Sequence, residues 1–489
     1  MADFVSLNEF VDRVGAAQPG QFVDAIRAAL RAADLPPIVA SKLSKVDRGI
    51  TAIEEAVQGI KSGEFEPEFA RMKAFILKRY EKARSRHTFL DAGGNFVDCI
   101  GYEEQQTAIS ARAAGHALLA GPPPAAGFVE PPPTSGRSSF LDVVPVEPPL
   151  SRGETDPFGN VVAAPGGTVP VRRVTLAQLA RLGRFSRFFE KAAAPLVAAP
   201  EPALGPGVDG FVHRHAGAQA ETVSGGYVGC TTYLNLWGRD PAPGTMNLSQ
   251  CWIMGLSPAG GYPDTVESGW MVQPGMYGGM KLPVLFVYFN PDGYGTRSPR
   301  GASRSGYGVN QFGEGFITFP DPEYVVNAAA GGFDSLSTPG GPQKGFYTQW
   351  QRDDKGNWIL YCGPAKTALK GVGYFPAHLY APTFLANSAE VLQFGGEVAA
   401  QAPEPGTGPM GSGVAPSDPA ADGFGTVAFQ KEISVQTAIG KPMSYTTLIQ
   451  FETNFSDRGI ADPYRSLAGS STNSAWGSYV FFGGPDGPL

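Results

Sequence analysis

Apolar positions along this chain change their period twice. Between residues 6 and 86 they recur at helical spacing. Phe22, Ile26, Ala29 and Leu30 form one stripe, and Phe69, Met72, Phe75, Ile76 and Tyr80 form another at the i, i+3, i+4 interval of a half-buried helix. Ser6-Leu-Asn-Glu9 reads as a capping box, in which the serine and glutamate side chains satisfy each other's backbone N–H groups. Pro36-Pro37 separates the first helical stretch from a second that runs to about Gly59. A small helical bundle is expected. Over residues 117–172 the periodicity disappears. Nine prolines between positions 121 and 150 favour extended polyproline II, which builds no packed core. Thr175 to Ala193 returns to helical spacing, with Leu176, Leu179, Leu182, Phe185, Phe188 and Phe189 apolar and Arg181, Arg184, Arg187 and Lys191 basic. Gly183 weakens this helix in isolation, and docking on the acidic remainder of the chain is favoured over a plain solvated helix, with binding to an anionic membrane third. A second Pro/Ala stretch, about 195–209, follows.

From Phe211 the period becomes two, in short runs separated by glycine-rich turns. Strands are expected at 227–236, 249–256, 264–272, 283–290, 314–319, 345–351, 357–362, 390–398, 425–434, 443–453 and 476–482. Gln351 to Asn357 is a hairpin turn in which Gly356 can take a positive φ. So many antiparallel strands imply a mainly β chain built on a two-sheet sandwich. The expected organisation is a helical N-terminal region (1–90), a short segment (91–116), Pro-rich linkers with an amphipathic helix at 175–193 (117–209), and a β domain (210–489).

Composition narrows the chemistry. The chain has 64 Gly and 44 Pro with only 17% charged residues, which suits a turn-rich β domain. A net charge of −7 argues against a nucleic-acid partner, which would need a basic face. Cys99, Cys230, Cys251 and Cys362 are too few and scattered for a disulfide scaffold, and His213 and His215 have no cysteine nearby, so neither zinc nor another cofactor is expected. Met1 to Val5 shows neither the basic nor the apolar segment of an export signal, and no run reaches the ~18 apolar residues of a membrane span. Localisation is left open. With no Gly-x-Ser-x-Gly elbow and five histidines, classical serine or cysteine catalysis has little support.

Two apolar runs each carry one glutamate: Asp264-Thr-Val-Glu267-Ser-Gly-Trp270-Met-Val and Phe394-Gly-Gly-Glu397-Val. A glutamate inside a strand pattern either faces solvent or occupies a cleft. Two of them can act as acid and base, because a protonated and an ionised carboxyl can share one water. Alternation puts Thr265, Glu267, Gly269 and Met271 on one face, and Gln393, Gly395, Glu397 and Ala399 on one face of the other strand. The small residues Gly269, Gly395 and Ala399 would leave room for an incoming peptide, although strand glycines also mark bulges.

These runs belong to an ordered series: Gly225-Gly-Tyr227-Val-Gly, Asn235-Leu-Trp237, Asn247-Leu-Ser-Gln250-Cys-Trp252, the Glu267 run, Asp292-Gly-Tyr294, Gly356-Asn-Trp358, Val372-Gly-Tyr374-Phe-Pro376, the Glu397 run and Met410-Gly-Ser-Gly413. In this order they resemble the catalytic domain of the neprosin family, glutamic peptidases that cut after proline. The resemblance runs from about Gly210 to the C terminus. It implies a concanavalin A-like antiparallel sandwich, a proline-containing peptide or protein as substrate, and Glu267 and Glu397 as the catalytic pair. Gln250 would help to hold the oxyanion, Trp252, Trp270, Tyr227 and Tyr374 would line a proline pocket, and Gly396 would join the substrate-contacting set. Gly94 to Ile100, followed by Glu104-Gln-Gln106-Thr107, resembles the end of the family's activation peptide with Thr107 in place of a proline, which implies intramolecular inhibition by the N-terminal half. The segment after Asp292-Gly-Tyr294 lacks the cysteine of plant members, and this leaves the wall of the cleft unassigned. Two other readings of a glutamate-bearing sandwich are a glycoside hydrolase using the same carboxylates and a non-catalytic carbohydrate-binding module.

Overall fold

A computed structural model describes residues 5–18, 62–91, 93–129, 144–145, 155–180, 185 and 188, and most of 211–484. The Phe22–Leu30 stripe, the helical stretch ending near Gly59, Arg181, Arg184, Arg187, Lys191 and the 195–209 linker lie outside the described residues.

The C-terminal half is a two-sheet sandwich. One sheet runs in the order β10 (Gly306–Tyr307), β9 (Val284–Asn290), β8 (Asp264–Val272), β7 (Met246–Gly255), β15 (Val391–Gln401), β5 (Phe211–Ala220), β18 (Leu448–Glu452), all antiparallel. The other runs β11 (Ile317–Thr318), β14 (Lys370–Phe375), β13 (Trp358–Gly363), β12 (Lys344–Arg352), β6 (Gly229–Asn235), β16 (Ala428–Gln436), β20 (Ser478–Gly483), β19 (Arg465–Ser470). β17 (Ser444–Tyr445) pairs with β16, and β3 (Val144–Pro145) pairs in parallel with β12.

Period-two patterning decides which residues face inward. Cys251, Ile253, Val266, Trp270, Leu285, Val287, Leu392 and Phe394 meet Trp350, Leu360, Cys362 and Phe482 between the sheets in one core. Two of its buried indoles find an acceptor on the opposite sheet: Trp350 Nε1 donates to Ser268 Oγ (2.7 Å) and Trp270 Nε1 to the Asn235 carbonyl (2.8 Å). These bonds fix the relative position of the sheets as well as burying the rings.

An Asp-x-x-Gly-Asn turn occurs three times, at Asp91–Asn95, Asp156–Asn160 and Asp353–Asn357. In each, aspartate Oδ1 accepts from the N–H groups two and four residues on, at 2.8–2.9 Å. The glycine takes a φ of 79°, 81° or 89°, a conformation that a side chain would disfavour.

The N-terminal region contains helices Leu7–Ala16 and Ser62–Tyr80 and a three-stranded sheet of β1 (His87–Leu90), β2 (Phe96–Gly101) and β4 (Thr168–Arg172). Half of the expected capping box forms. Ser6 Oγ accepts from the Glu9 N–H (3.2 Å), while the Glu9 carboxylate pairs with Arg13 one turn on. The activation-peptide-like word becomes β2. Residues 168–172, expected to belong to a linker, form a fully buried strand. Pro170 is tolerated there because β4 lies at the edge of its sheet and needs no donor on its outer side. Two buried ion pairs clamp this unit: Arg172 to Asp91 (2.9 Å), and Arg173 to both carboxylate oxygens of Asp98 (2.6 and 2.8 Å). Part of the Pro-rich stretch is also packed. Tyr361 donates to the Pro123 carbonyl (2.8 Å), and Phe128 bridges to Met443. Helical spacing after Thr175 is realised over Leu176–Ala180, followed by Phe185 and Phe188 stacked beside Phe75.

The N-terminal unit packs on the outer face of the seven-stranded sheet. Leu7, Phe69, Ile76, Val174, Leu179 and Phe188 form one cluster with Leu248, Met271, Phe286 and Tyr288. That face is also the one that carries the two glutamates.

Candidate active site

Glu267 lies midway along β8, opposite Trp252 on β7 and Tyr288 on β9. Glu397 lies on β15, opposite Leu248 on β7 and His215 on β5. Residues paired across antiparallel strands share a face, so both glutamates project from the same side of one sheet, and so does Gln250, which faces Gly269 and Gly395. Both carboxylates are buried in the full chain. Two strand spacings and four residues separate them, placing their Cα atoms about 16 Å apart on ideal strand geometry. Gln250 lies between them on β7, two residues from Trp252, which pairs with Glu267, and two from Leu248, which pairs with Glu397.

Glu397 is surrounded by donors. Gln250 Nε2 lies 2.6 Å from Oε2, His213 Nδ1 2.6 Å from Oε1, and His215 Nε2 3.5 Å from Oε2. An ionised carboxylate only accepts, so the amide nitrogen of Gln250 faces it. The Gln250 oxygen is buried with no hydrogen-bond partner among the described residues. Glu267 is met by hydroxyls: Thr265 donates to Oε1 at 2.7 Å and Tyr294 at 3.2 Å. Burial, reinforced by the Glu267 charge, pushes the Tyr294 phenol well above its ordinary range, so it stays a neutral donor. Its presentation needs an uncommon backbone. Gly293 and Tyr294 have φ of 62° and 54°, held by the Tyr294 N–H donating to Asn290 Oδ1 at 2.6 Å.

The opposite sheet braces the strands from beneath. Gln430 on β16 donates through Nε2 to Ser249 Oγ (3.0 Å) and the carbonyls of Gln250 (2.9 Å) and Gly395 (3.2 Å), and Oε1 accepts from Thr232 (3.0 Å). One buried amide thus ties β7 and β15 together at the level of the site.

The other expected site residues are divided between this face and the core. Trp252 shares the glutamate face and meets the His215 ring edge-on at 5.3 Å. Trp270 does not, since alternation turns it into the inter-sheet core. Tyr227 is likewise a core residue, its hydroxyl bonded to the Glu221 carbonyl. Tyr374 sits on β14 of the other sheet, where its hydroxyl accepts from the Leu119 N–H at 3.1 Å, so it holds the Pro-rich segment. Gly396 faces inward, and a Cβ there would come within 2.4 Å of Phe482. Gly269 does share the glutamate face, but not to leave room above it. A Cβ would stand 1.9 Å from the Ser249 carbonyl, so glycine is required for close approach of β7 and β8.

Thr265, Tyr294, His213 and His215 were not among the expected site residues. The signal for the histidines was present in Val212-His-Arg-His-Ala216, an alternating run that places both imidazoles on one face, and β5 pairs it directly with β15. Among the described residues no group of three or more histidine, cysteine or carboxylate side chains is arranged to hold a metal ion.

A two-sheet sandwich with two buried glutamates on one face of one sheet defines the class: a mainly β, sandwich-type protein. The neprosin family model matches residues 243–485, just under half of the chain, so the C-terminal region carries a neprosin-like domain, a match that supports a peptidase hydrolase. β5, with His213 and His215, precedes the matched range yet lies inside the same sheet. Among solved structures the chain is similar to a Scytalido-glutamic peptidase with a peptide-based transition-state analogue, at 10% identity, covering 56% of this chain and 98% of that one, with a TM-score of 0.24. It is also similar to SCP-B, a member of the Eqolisin family of peptidases, in complex with the tripeptide Ala-Ile-His, at 9% identity, 56% and 98% coverage and a TM-score of 0.23.

Proposed function

We propose that this protein is an endopeptidase that hydrolyses peptide bonds after proline, with Glu267 and Glu397 activating a water. The observation that carries the reading is the placement of both glutamates on one face of one sheet of a neprosin-like domain, with the Gln250 amide between them. One carboxylate removes a proton from the water as its oxygen attacks the carbonyl carbon. The other, protonated, donates to the carbonyl oxygen. On collapse the tetrahedral carbon releases the amine, which leaves with a proton from the first glutamic acid, while the second recovers its own from the hydroxyl. The pair returns to its starting state without a covalent intermediate. Trp252, on the same face, offers a flat wall for a pyrrolidine ring.

In the same reading, the N-terminal unit holds the enzyme latent. Its apolar side chains share a cluster with Leu248, Met271 and Tyr288, which stand on the glutamate face beside the pair, so an extended substrate needs that unit displaced. Purified full-length protein should cut a proline-containing peptide in acid, with mass spectrometry placing the cut after proline. Glu267→Gln and Glu397→Gln should each abolish turnover while remaining folded. Cleavage in which proline has no influence would overturn the specificity, and full activity in either variant would overturn the dyad.

A further inference from the structure

We propose that His213 is a positioning residue that, together with Gln250 and His215, holds Glu397 ionised, making Glu397 the base and Glu267 the acid. This rests on the dyad reading and divides the roles within it. The two glutamates differ in the kind of donor that meets them. Glu397 receives an imidazole nitrogen at 2.6 Å, a second at 3.5 Å and an amide at 2.6 Å. Glu267 receives the hydroxyls of Thr265 and Tyr294, and neither carries positive charge. An imidazole ordinarily takes up a proton as the pH falls through about 6.5, so in acid His213 turns from a neutral donor into a cation in contact with Glu397. A cation at that distance favours the ionised form of Glu397, the form a base needs, and leaves the acid's part to Glu267.

The surroundings let this happen. His213 keeps 22% of its side chain exposed and so stays in reach of solvent, while the Glu397 carboxylate beside it is buried. The His213 and His215 rings lie nearly parallel, at 13°, with centroids 6.4 Å apart. Among the described residues, Glu397 from β15 and Gln250 and Trp252 from β7 stand beside them on this face, with Glu267 from β8 and Tyr294 from the turn after β9 further along it. On the flanking strand β18, Gln450 and Glu452 are paired with Ala218 and Ala216 and so belong to the opposite face, where Glu452 accepts from the Ser466 N–H at 2.7 Å. Arg214 alternates to that opposite face as well.

The chemistry follows with its protons balanced. Water gives a proton to Glu397 and its oxygen bonds the carbonyl carbon, while Glu267 gives its proton to the carbonyl oxygen. As the C–N bond breaks, the departing nitrogen takes the proton from Glu397, and the new carboxyl returns one to Glu267. His213 keeps its proton throughout and touches no reacting atom.

The test is the pH dependence of kcat/KM on a proline-containing peptide, measured with full-length wild type, His213→Gln, His213→Ala and His215→Gln. Glutamine keeps a donor and cannot charge. The acid limb, where the base takes up its proton, should move upward by about one pH unit in His213→Gln, since an opposite charge in contact ordinarily lowers a carboxyl by at least that much. His215→Gln should move it less, because of its longer contact. His213→Ala should show the same shift together with a lower plateau. A residue that merely supported the fold would lower activity equally at every pH. An acid limb that stays in place in His213→Gln overturns this assignment, and the dyad still stands if both glutamate variants are dead. Turnover persisting in Glu397→Gln overturns both.

Discussion

Cys230 and Cys251 bring their sulfur atoms to 3.4 Å from opposite sheets, the first on β6 and the second on β7, one residue from Gln250. Both are buried, and burial, followed by the contact with Cys230, pushes the Cys251 thiol well above its ordinary range. A thiol held so is a poor nucleophile. The folded protein should therefore resist alkylation at this pair, whereas a dithiol-specific oxidant should accept two electrons and two protons and leave a bond across the sandwich. Closing a loop of this length would stabilise the fold by about 3 kcal/mol, read as a higher unfolding midpoint without reductant. Peptide mapping that finds Cys99 or Cys362 as the partner, or a crosslink that leaves the midpoint unchanged, would count against it.

Gln430 should matter to catalysis from the far sheet. Replacement by alanine takes the Gln430 donor from the Gln250 and Gly395 carbonyls, at about 1–3 kcal/mol for each group left unpaired. Because those carbonyls belong to the strands that carry the site, kcat should fall while KM changes little. Denaturant unfolding and steady-state kinetics on Gln430→Ala separate the two effects. Lost stability with an unchanged kcat would confine Gln430 to a structural role.

The buried Arg173–Asp98 pair should dominate the stability of the N-terminal unit. Asp98→Ala leaves a guanidinium in an apolar setting between the Phe10 and Phe96 rings, at 5.2 and 4.7 Å, with its main acceptor gone. The cost for a broken buried pair is about 3–5 kcal/mol. Amide exchange should quicken in β1, β2 and β4 while β7, β8 and β15 keep their protection. Equal loosening of both halves would show that they unfold as one.

The strands that carry the glutamates were legible because their alternation is unbroken. β8 is realised over the expected residues 264–272, and the face shared by Thr265, Glu267 and Gly269 follows from the period of two. β5 was missed because Val212-His-Arg-His-Ala216 sets three consecutive polar residues between two apolar ones, a weak hydrophobic signal for a strand that pairs with β15. Tyr294 was visible as a residue in a recurrent word but not as a site residue, since its reach to Glu267 depends on two successive positive φ values in the turn. Trp270 was expected in the pocket because aromatic character was weighed there, yet its parity relative to Glu267 already assigned it to the core. β4 was hidden by the proline at its centre, which only its edge position makes harmless.

A last expectation concerns acid and the segment just before the Pro-rich stretch. His116, after the helix Gln106–Ala113, stacks on His378 in the turn Ala377–Leu379, with ring centroids 4.4 Å apart and an interplanar angle of 11°. Burial, and then the proximity of His116, lower the His378 pKa from its ordinary 6.5. The sign is that of a group whose charged form is disfavoured in the docked state. The undocked segment binds protons more readily, so docking is intact above about 6.5 and weakens as the pH falls from there through the lowered value of His378. Exchange of the 106–116 amides, corrected for intrinsic rates, should therefore accelerate over that interval, while Tyr102 loosens from Tyr374, whose hydroxyls lie 3.5 Å apart. His116→Ala removes the neighbour that disfavours the charged form of His378 and should flatten the pH dependence without abolishing docking, because Gln105 remains bonded to Thr318 through both its amide nitrogen and its amide oxygen, each at 2.9 Å. If exchange in the wild type is level from pH 7 to pH 5, the stacked histidines are a packing contact and acid loosens the N-terminal unit elsewhere.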